Sequence, residues 1–179
     1  MSGWMLHEVT ERQERTRVGR LGELYLRYAD DATRLAYLLT GDRALAEDLA
    51  QDAFVRLAGR LAHLRDEGAF EAYLRRTVVN LSRSYFRRRK VERTYLRQHP
   101  PAGPSAEAAP IAGLGDRDAL WRALAGLPQR QRAALVLRFY EDLSERQIAD
   151  VLRCPIGTVK SLVSRGLSTL RTRMDGEER

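Results

Sequence analysis

Apolar residues recur along this chain at steps of three and four, the spacing of a helix face rather than the alternation of a strand. Leu21, Leu24, Tyr25 and Tyr28, resuming with Leu35, Leu38 and Leu39, predict a first helical stretch. Gly41-Asp42 interrupts it, with Asp42 placed to cap whatever follows. Leu45, Leu49, Ala53, Leu57, Leu61 and Leu64 then draw one continuous apolar stripe, while Glu47, Asp48, Gln51 and Asp52 occupy the opposite face. After a break at Arg65-Asp66-Glu67-Gly68, a third helix carries Phe70, Leu74, Val78, Leu81 and Tyr85 on a shared face. Three such helices can bury a modest core.

The pattern stops in a segment that can pack neither helix nor sheet: four of the six prolines fall between Pro100 and Pro110, among alanine, glycine and serine. Two domains follow from this linker. Beyond it, Asp118 to Leu127 and Pro128 to Tyr140 are predicted as two helices divided at Gly126 and Pro128, proline being tolerated at a first helical position. Ser144-Glu145-Arg146-Gln147 fits a capping box, opening a short helix that runs to Leu152. Arg153-Cys154-Pro155 is a tight turn, and a last helix extends from about Ile156 to Arg173. The expected fold is all-α: two small helical domains joined by a Pro/Ala-rich linker, the second containing a helix-turn-helix.

In a helix-turn-helix the second helix enters the major groove of DNA and its early residues reach base edges. Thr158, Lys160, Ser161, Ser164 and Arg165 are spread over the first turns of that helix, while Val151, Leu152, Val159, Leu162 and Val163 can hold the helix pair together. From Arg153 to Arg173 the chain has five basic residues and no acidic one, so the unit presents positive potential to phosphate.

The composition sharpens this. Lys+Arg number 31 against 24 Asp+Glu, a net charge of +7, and all the basic residues but Lys90 and Lys160 are arginines, whose planar forks suit phosphate and base edges. A second basic stretch, Arg83, Arg87, Arg88, Arg89, Lys90, Arg93 and Arg97, has Tyr85, Phe86 and Tyr95 interleaved and only Glu92 opposing it. Aromatics beside arginines suit single-stranded or unwinding DNA, where a base face can stack. The same run also complements a helix C-terminal dipole, with the aromatics serving as core.

Cys154 is the only cysteine, which excludes an intramolecular disulfide and is compatible with a reducing compartment. His7, His63 and His99 lack the paired spacing of a zinc site, and neither clustered carboxylates nor a glycine-rich phosphate loop points to an enzyme. No cofactor and no metal are expected. The first twenty residues are charged throughout and no apolar run approaches the roughly 18 residues of a membrane span, so a cytoplasmic protein without membrane insertion is expected.

Taken together, these residues resemble the extracytoplasmic-function (group 4) sigma factors of bacterial RNA polymerase over roughly Gly19 to Met174. The run from Asp42 to Leu57 looks like that family's region 2.1–2.2, the helix that docks on the clamp helices of the polymerase beta-prime subunit, and the resemblance assigns Glu47, Asp48, Gln51, Asp52 and Phe54 to core-polymerase binding. The run from Phe70 to Arg89 is similar to regions 2.3–2.4, which melt and read the minus-ten element. It implies minus-ten contacts from Asn80, Arg83, Ser84, Arg87, Arg88 and Arg89, with Asn80 and the loop from Leu64 to Ala69 forming the pocket for a flipped base. The run from Leu127 through Ser161 looks like region 4, which binds the minus-thirty-five duplex, implying contacts from Arg138, Arg146, Thr158, Lys160, Ser161, Ser164 and Arg165.

The resemblance divides the chain into an N-terminal extension (1–18), region 2 (19–97), a linker (98–116), region 4 (117–175) and a tail (176–179). Its implied partners are core RNA polymerase, through the beta-prime clamp helices and the beta subunit, and promoter DNA, with an anti-sigma factor as a further candidate. The chain departs from the family at Arg153, where a glycine is common: a non-glycine there either strains a left-handed backbone or alters the turn. It also carries a denser basic run after Tyr85, and Met1 to Arg17 lies outside the resemblance. The competing expectation is a stand-alone helix-turn-helix regulator, which would bind an operator without polymerase.

Overall fold

The computed structural model describes residues 3–60, 66–98 and 122–177, all of whose regular structure is helical. The first half is built from α1 (Gly3–Thr40), α2 (Arg43–Ala58) and α3 (Glu67–Gln98). The second half contains a short helical stretch at 122–125, α4 (Gln129–Leu135) continued by a π turn (Val136–Tyr140), α5 (Glu145–Leu152) and α6 (Ile156–Glu177). The Pro/Ala-rich linker expected at 98–116 lies outside the described residues, apart from Gln98 as the last residue of α3.

Local chemistry sets the element ends. Gly41 takes φ 82°, a left-handed conformation open to glycine without a Cβ penalty, and its N–H donates to the Tyr37 carbonyl to stop α1. Asp42 caps α2 as its position suggested: its carboxylate accepts from the Leu45 N–H at 3.0 Å. The stripe expected to continue through Leu61 and Leu64 is interrupted, because α2 ends at Ala58 with Gly59 as its cap; both leucines lie outside the described residues. Asp66, within the expected break, accepts from the Ala69 N–H at 2.6 Å and thereby opens α3.

The three helices close on an aromatic joint. Phe70 is fully buried at the start of α3, with the rings of Tyr28 at 5.8 Å and of Phe54 at 6.0 Å, and Tyr25 meets Phe54 edge-on at 4.9 Å. Leu35, Ala36 and Leu39 of α1, Leu49, Ala53 and Leu57 of α2, and Leu74, Val78 and Val79 of α3 fill the rest. Each large side chain buried in this way contributes roughly 1.5–3 kcal/mol relative to exposure.

The same core runs on into the second half, through Leu137, Leu143, Ile148, Leu152 and Val159, so the two halves are packed against each other. Polar ties cross the seam. Arg75 of α3 pairs with Glu141, just beyond the π turn, at 16% and 12% side-chain exposure, and also holds Glu71 at 2.5 Å. Arg132 of α4 is buried and donates to the Leu39 carbonyl at the end of α1 (3.0 Å) as well as to the Ala125 and Leu127 carbonyls of its own half. Burial holds its pKa below the ordinary guanidinium range.

Within the second half, the Ser144–Gln147 capping box forms as its spacing predicts. Arg153 adopts φ 51°, ψ 59° at the C-cap of α5, so of the two outcomes open at this turn it takes the left-handed one. For an L-residue that geometry costs roughly 1–2 kcal/mol. Gly166 sits where α6 meets α4: a Cβ there would lie 3.0 Å from the Leu135 side chain, so any larger residue requires that side chain to shift.

Candidate nucleic-acid and polymerase interfaces

The residues assigned from sequence fall on separate faces. On α2, Glu47, Asp48, Gln51 and Asp52 are all exposed, and Glu47 is engaged only by Arg43 across one turn at 3.1 Å, an exposed pair of little energetic weight. Phe54 departs from its expected role. It is 4% exposed within the aromatic joint, so its ring serves the core and is withdrawn from any partner. The apolar residue on the acidic face is Val55, 70% exposed and on the same stripe as Asp48 and Asp52. Its β-branched side chain, left in solvent next to carboxylates, was the available sequence signal.

On α3, Arg76, Asn80, Arg83, Ser84 and Arg87 form a stripe at helical spacing, with Arg88 exposed beside it. Asn80 is half-buried in a cleft that also takes in Tyr73, Thr77, Arg56 and Arg60. Arg60 lies over the Tyr73 ring, 5.5 Å from its centroid. The neighbouring loop expected from Leu64 to Ala69 is described only from Asp66 onward, where it already forms the cap and first turn of α3.

Arg83 is not free. Its guanidinium donates to the Leu152 carbonyl of the helix-turn-helix at 3.0 Å. Burial, then the charge of Arg130, with smaller pushes from Arg153 and Arg87, lowers its pKa from the usual value, against an opposing pull from Cys154. The interleaved aromatics divide: Tyr85 and Phe86 are half-buried and meet edge-on at 5.4 Å, Arg89 donates to the Tyr85 hydroxyl at 3.2 Å, and Tyr95 stands 60% exposed.

In the helix-turn-helix, Val159 is fully buried against Ile148 and Leu152, which fixes the rotation of α6 and sets Lys160, Ser164 and Arg165 outward. Lys160 Nζ lies 3.7 Å from Glu145. Thr158 and Ser161 are half-buried, and the Ser161 hydroxyl donates to the Gly157 carbonyl. Arg146 is exposed on α5, whereas Arg138 lies in the π turn and donates to the Leu143 carbonyl, bracing the chain into α5. Ser168 and Arg171 extend the stripe of Lys160 and Ser164 along one groove, and their i+4 and i+7 spacing from Ser164 was readable in the sequence.

The family model described as Sigma-70 region 2 matches residues 24–92, and that described as Sigma-70, region 4 matches 117–170. An RNA polymerase sigma-E factor of Streptomyces avermitilis is 36% identical over 157 residues, 87% of this chain and 86% of its own length. The protein of the same name from Streptomyces coelicolor is 37% identical, covering 83% of each. Among solved structures, the sigma factor RpoE in complex with the anti-sigma factor NepR from Bartonella quintana superposes with a TM-score of 0.66 at 25% identity, over 86% of this chain and 96% of that one.

Proposed function

The chain belongs to the sigma-70 family of RNA polymerase sigma factors, in its extracytoplasmic-function branch, and from that premise we propose how its faces divide the work. As a sigma factor it binds core RNA polymerase and promoter DNA and directs transcription initiation, with anti-sigma factors as the partners found with its structural neighbours. Among the described residues no helix is long and apolar enough to cross a membrane; as a polymerase-binding factor the protein works in the cytoplasm. Its work is binding rather than chemistry.

The observation that carries the division is the partition of charge. A protein of net charge +7 keeps Glu47, Asp48, Gln51 and Asp52 exposed together on α2, while α3 gathers Arg83, Arg87, Arg88 and Arg89 and α6 carries Lys160, Arg165 and Arg171 with no acidic residue before Asp175. The acidic face, with Val55 in place of Phe54, docks on the beta-prime clamp helices. The α3 stripe of Asn80, Arg83, Ser84, Arg87, Arg88 and Arg89 captures the non-template strand at the minus-ten element. A base extruded there costs a few kcal/mol, recovered by stacking and by hydrogen bonds to its exposed edge. Asn80 can both donate and accept to such an edge.

Lys160, Ser164 and Arg165, with Arg146 on α5, grip minus-thirty-five duplex, Thr158 and Ser161 lining the approach. Arg138 acts in this reading by bracing the turn into α5. The domain layout stands as residues 19–97 for region 2 and 117–175 for region 4, flanking the linker 98–116.

With Arg83 tied to Leu152, the two halves of the free chain must separate before both DNA elements can be held at once. DNase footprinting tests this: protection of a cognate promoter should appear only when core enzyme is added. Specific protection by the chain alone would return it to the class of stand-alone operator binders.

A further inference from the structure

The cleft at Asn80 is completed from the other domain. Arg56 and Arg60 reach it from the end of α2, Arg76 from α3, and Arg153 from the helix-turn-helix turn, around a space of about 440 Å³. Among the described residues no carboxylate lines it and none of the four guanidiniums has an ion-pair partner. Thr77 and Asn80 add polar atoms to its lining, and Tyr73 a ring. Like charges converge here without neutralisation, an arrangement that repels itself unless an anion joins it.

A second observation concerns Arg153 itself. It is held in a left-handed conformation that a glycine would adopt without strain, and its side chain is the one contribution of the turn to the cleft. Arg153 is also among the charges that push the Arg83 guanidinium down, which marks excess positive potential along this seam.

We propose that this cleft is a phosphate-binding site, made only when the two halves are closed on one another, and that it takes a free polyphosphate anion of the nucleotide class. Arginine forks bind phosphate oxygens in pairs, and the space is within the range of small-molecule sites. A captured DNA strand is the less fitting source of the phosphate. In the sigma reading, on which this point alone rests, Arg153 travels with the minus-thirty-five domain and leaves Asn80 when the chain opens on polymerase. Bound polyphosphate would then stabilise the closed chain and compete with strand capture.

The variant Arg153→Gly separates the site from the fold, since it removes one guanidinium while relieving the left-handed backbone. Titration calorimetry of the full chain with sodium tripolyphosphate at about 150 mM salt should show saturable one-to-one binding, weakened about tenfold or more by Arg153→Gly. The same variant should support transcription with core enzyme as the parent does. Absence of saturable binding by the parent, or equal binding by the variant, overturns the proposal. A parallel arm uses a 12-nucleotide single strand: if the strand displaces tripolyphosphate and binds far more tightly than it, with Arg153→Gly weakening the strand as well, the phosphate seat belongs to DNA and the free-polyphosphate site is rejected. Transcription assays run beside the titrations fail only if the sigma reading fails, so the two results are read separately.

Discussion

The pairing of Arg75 with Glu141 offers the most direct test of how firmly the free chain is closed. Both side chains are largely withdrawn from water, at 16% and 12% exposure, and they belong to different halves. Coulomb attraction at such a distance and an effective dielectric near 20 amounts to about 4 kcal/mol, most of which is offset by desolvating the two ions. The loss on truncation is therefore asymmetric. Glu141→Gln leaves Arg75 its second partner, Glu71, and should weaken closure by about 1 kcal/mol. Arg75→Gln leaves Glu141 at the seam without its cation and should weaken closure by about 2–3 kcal/mol. In a double-mutant cycle the coupling should be about 1–2 kcal/mol. Since 1.4 kcal/mol is a factor of ten in an equilibrium constant, Glu141→Gln should raise the open fraction severalfold. Single-molecule energy transfer between dyes at positions 43 and 172, in a Cys154→Ser background, counts that fraction directly. A coupling below about 0.3 kcal/mol, the usual error of additivity, with unchanged open fractions, would refute the latch.

The other expectations concern separate parts of the molecule. Arg132→Met should lower unfolding free energy in urea by about 3–5 kcal/mol, because three backbone carbonyls from two halves lose a charged donor together; a loss under 1 kcal/mol would mean that water replaces it freely. Asp52→Ala should reduce affinity for core enzyme in a pull-down titration while leaving duplex binding by the second half unchanged, and intact core binding would remove α2 as the docking face. Lys160→Ala should weaken binding to minus-thirty-five duplex, and the slope of affinity against salt should fall by about one charge if the contact is to phosphate; no change in affinity would displace Lys160 from the interface. Gly166→Leu should destabilise the second half by about 1–3 kcal/mol through overpacking against Leu135, read as a lowered midpoint of thermal unfolding.

What the sequence made legible was what depends on neighbours a few residues apart. Asp42 and the Ser144–Gln147 box are caps whose partners lie three positions on, so their chemistry is complete within the local string. The left-handed alternative at Arg153 was likewise raised by a single residue standing where a turn prefers glycine. Phe54 marks the limit. The resemblance assigned it to polymerase binding, but only the arrival of Tyr25 from α1 and Phe70 from α3 decides that its ring turns inward and leaves Val55 outside.

The seam between the halves was illegible for the same reason carried further. Arg132 meets Leu39 across 93 positions, Arg83 meets Leu152 across 69, and Arg75 meets Glu141 across 66, on opposite sides of a linker whose composition says only that the halves are separate. Arginines read as an undivided stock of positive charge thus have two employments. In the proposed division those on α6 and at the outer turns of α3 serve nucleic acid, whereas Arg75, Arg83 and Arg132 hold the chain together. Arg83 would have both uses, since that proposal places it in the strand-binding stripe and it is bonded to the helix-turn-helix. On that proposal, release of this one hydrogen bond comes before region 2 presents its full stripe, so opening of the chain and capture of the strand are coupled through the same guanidinium.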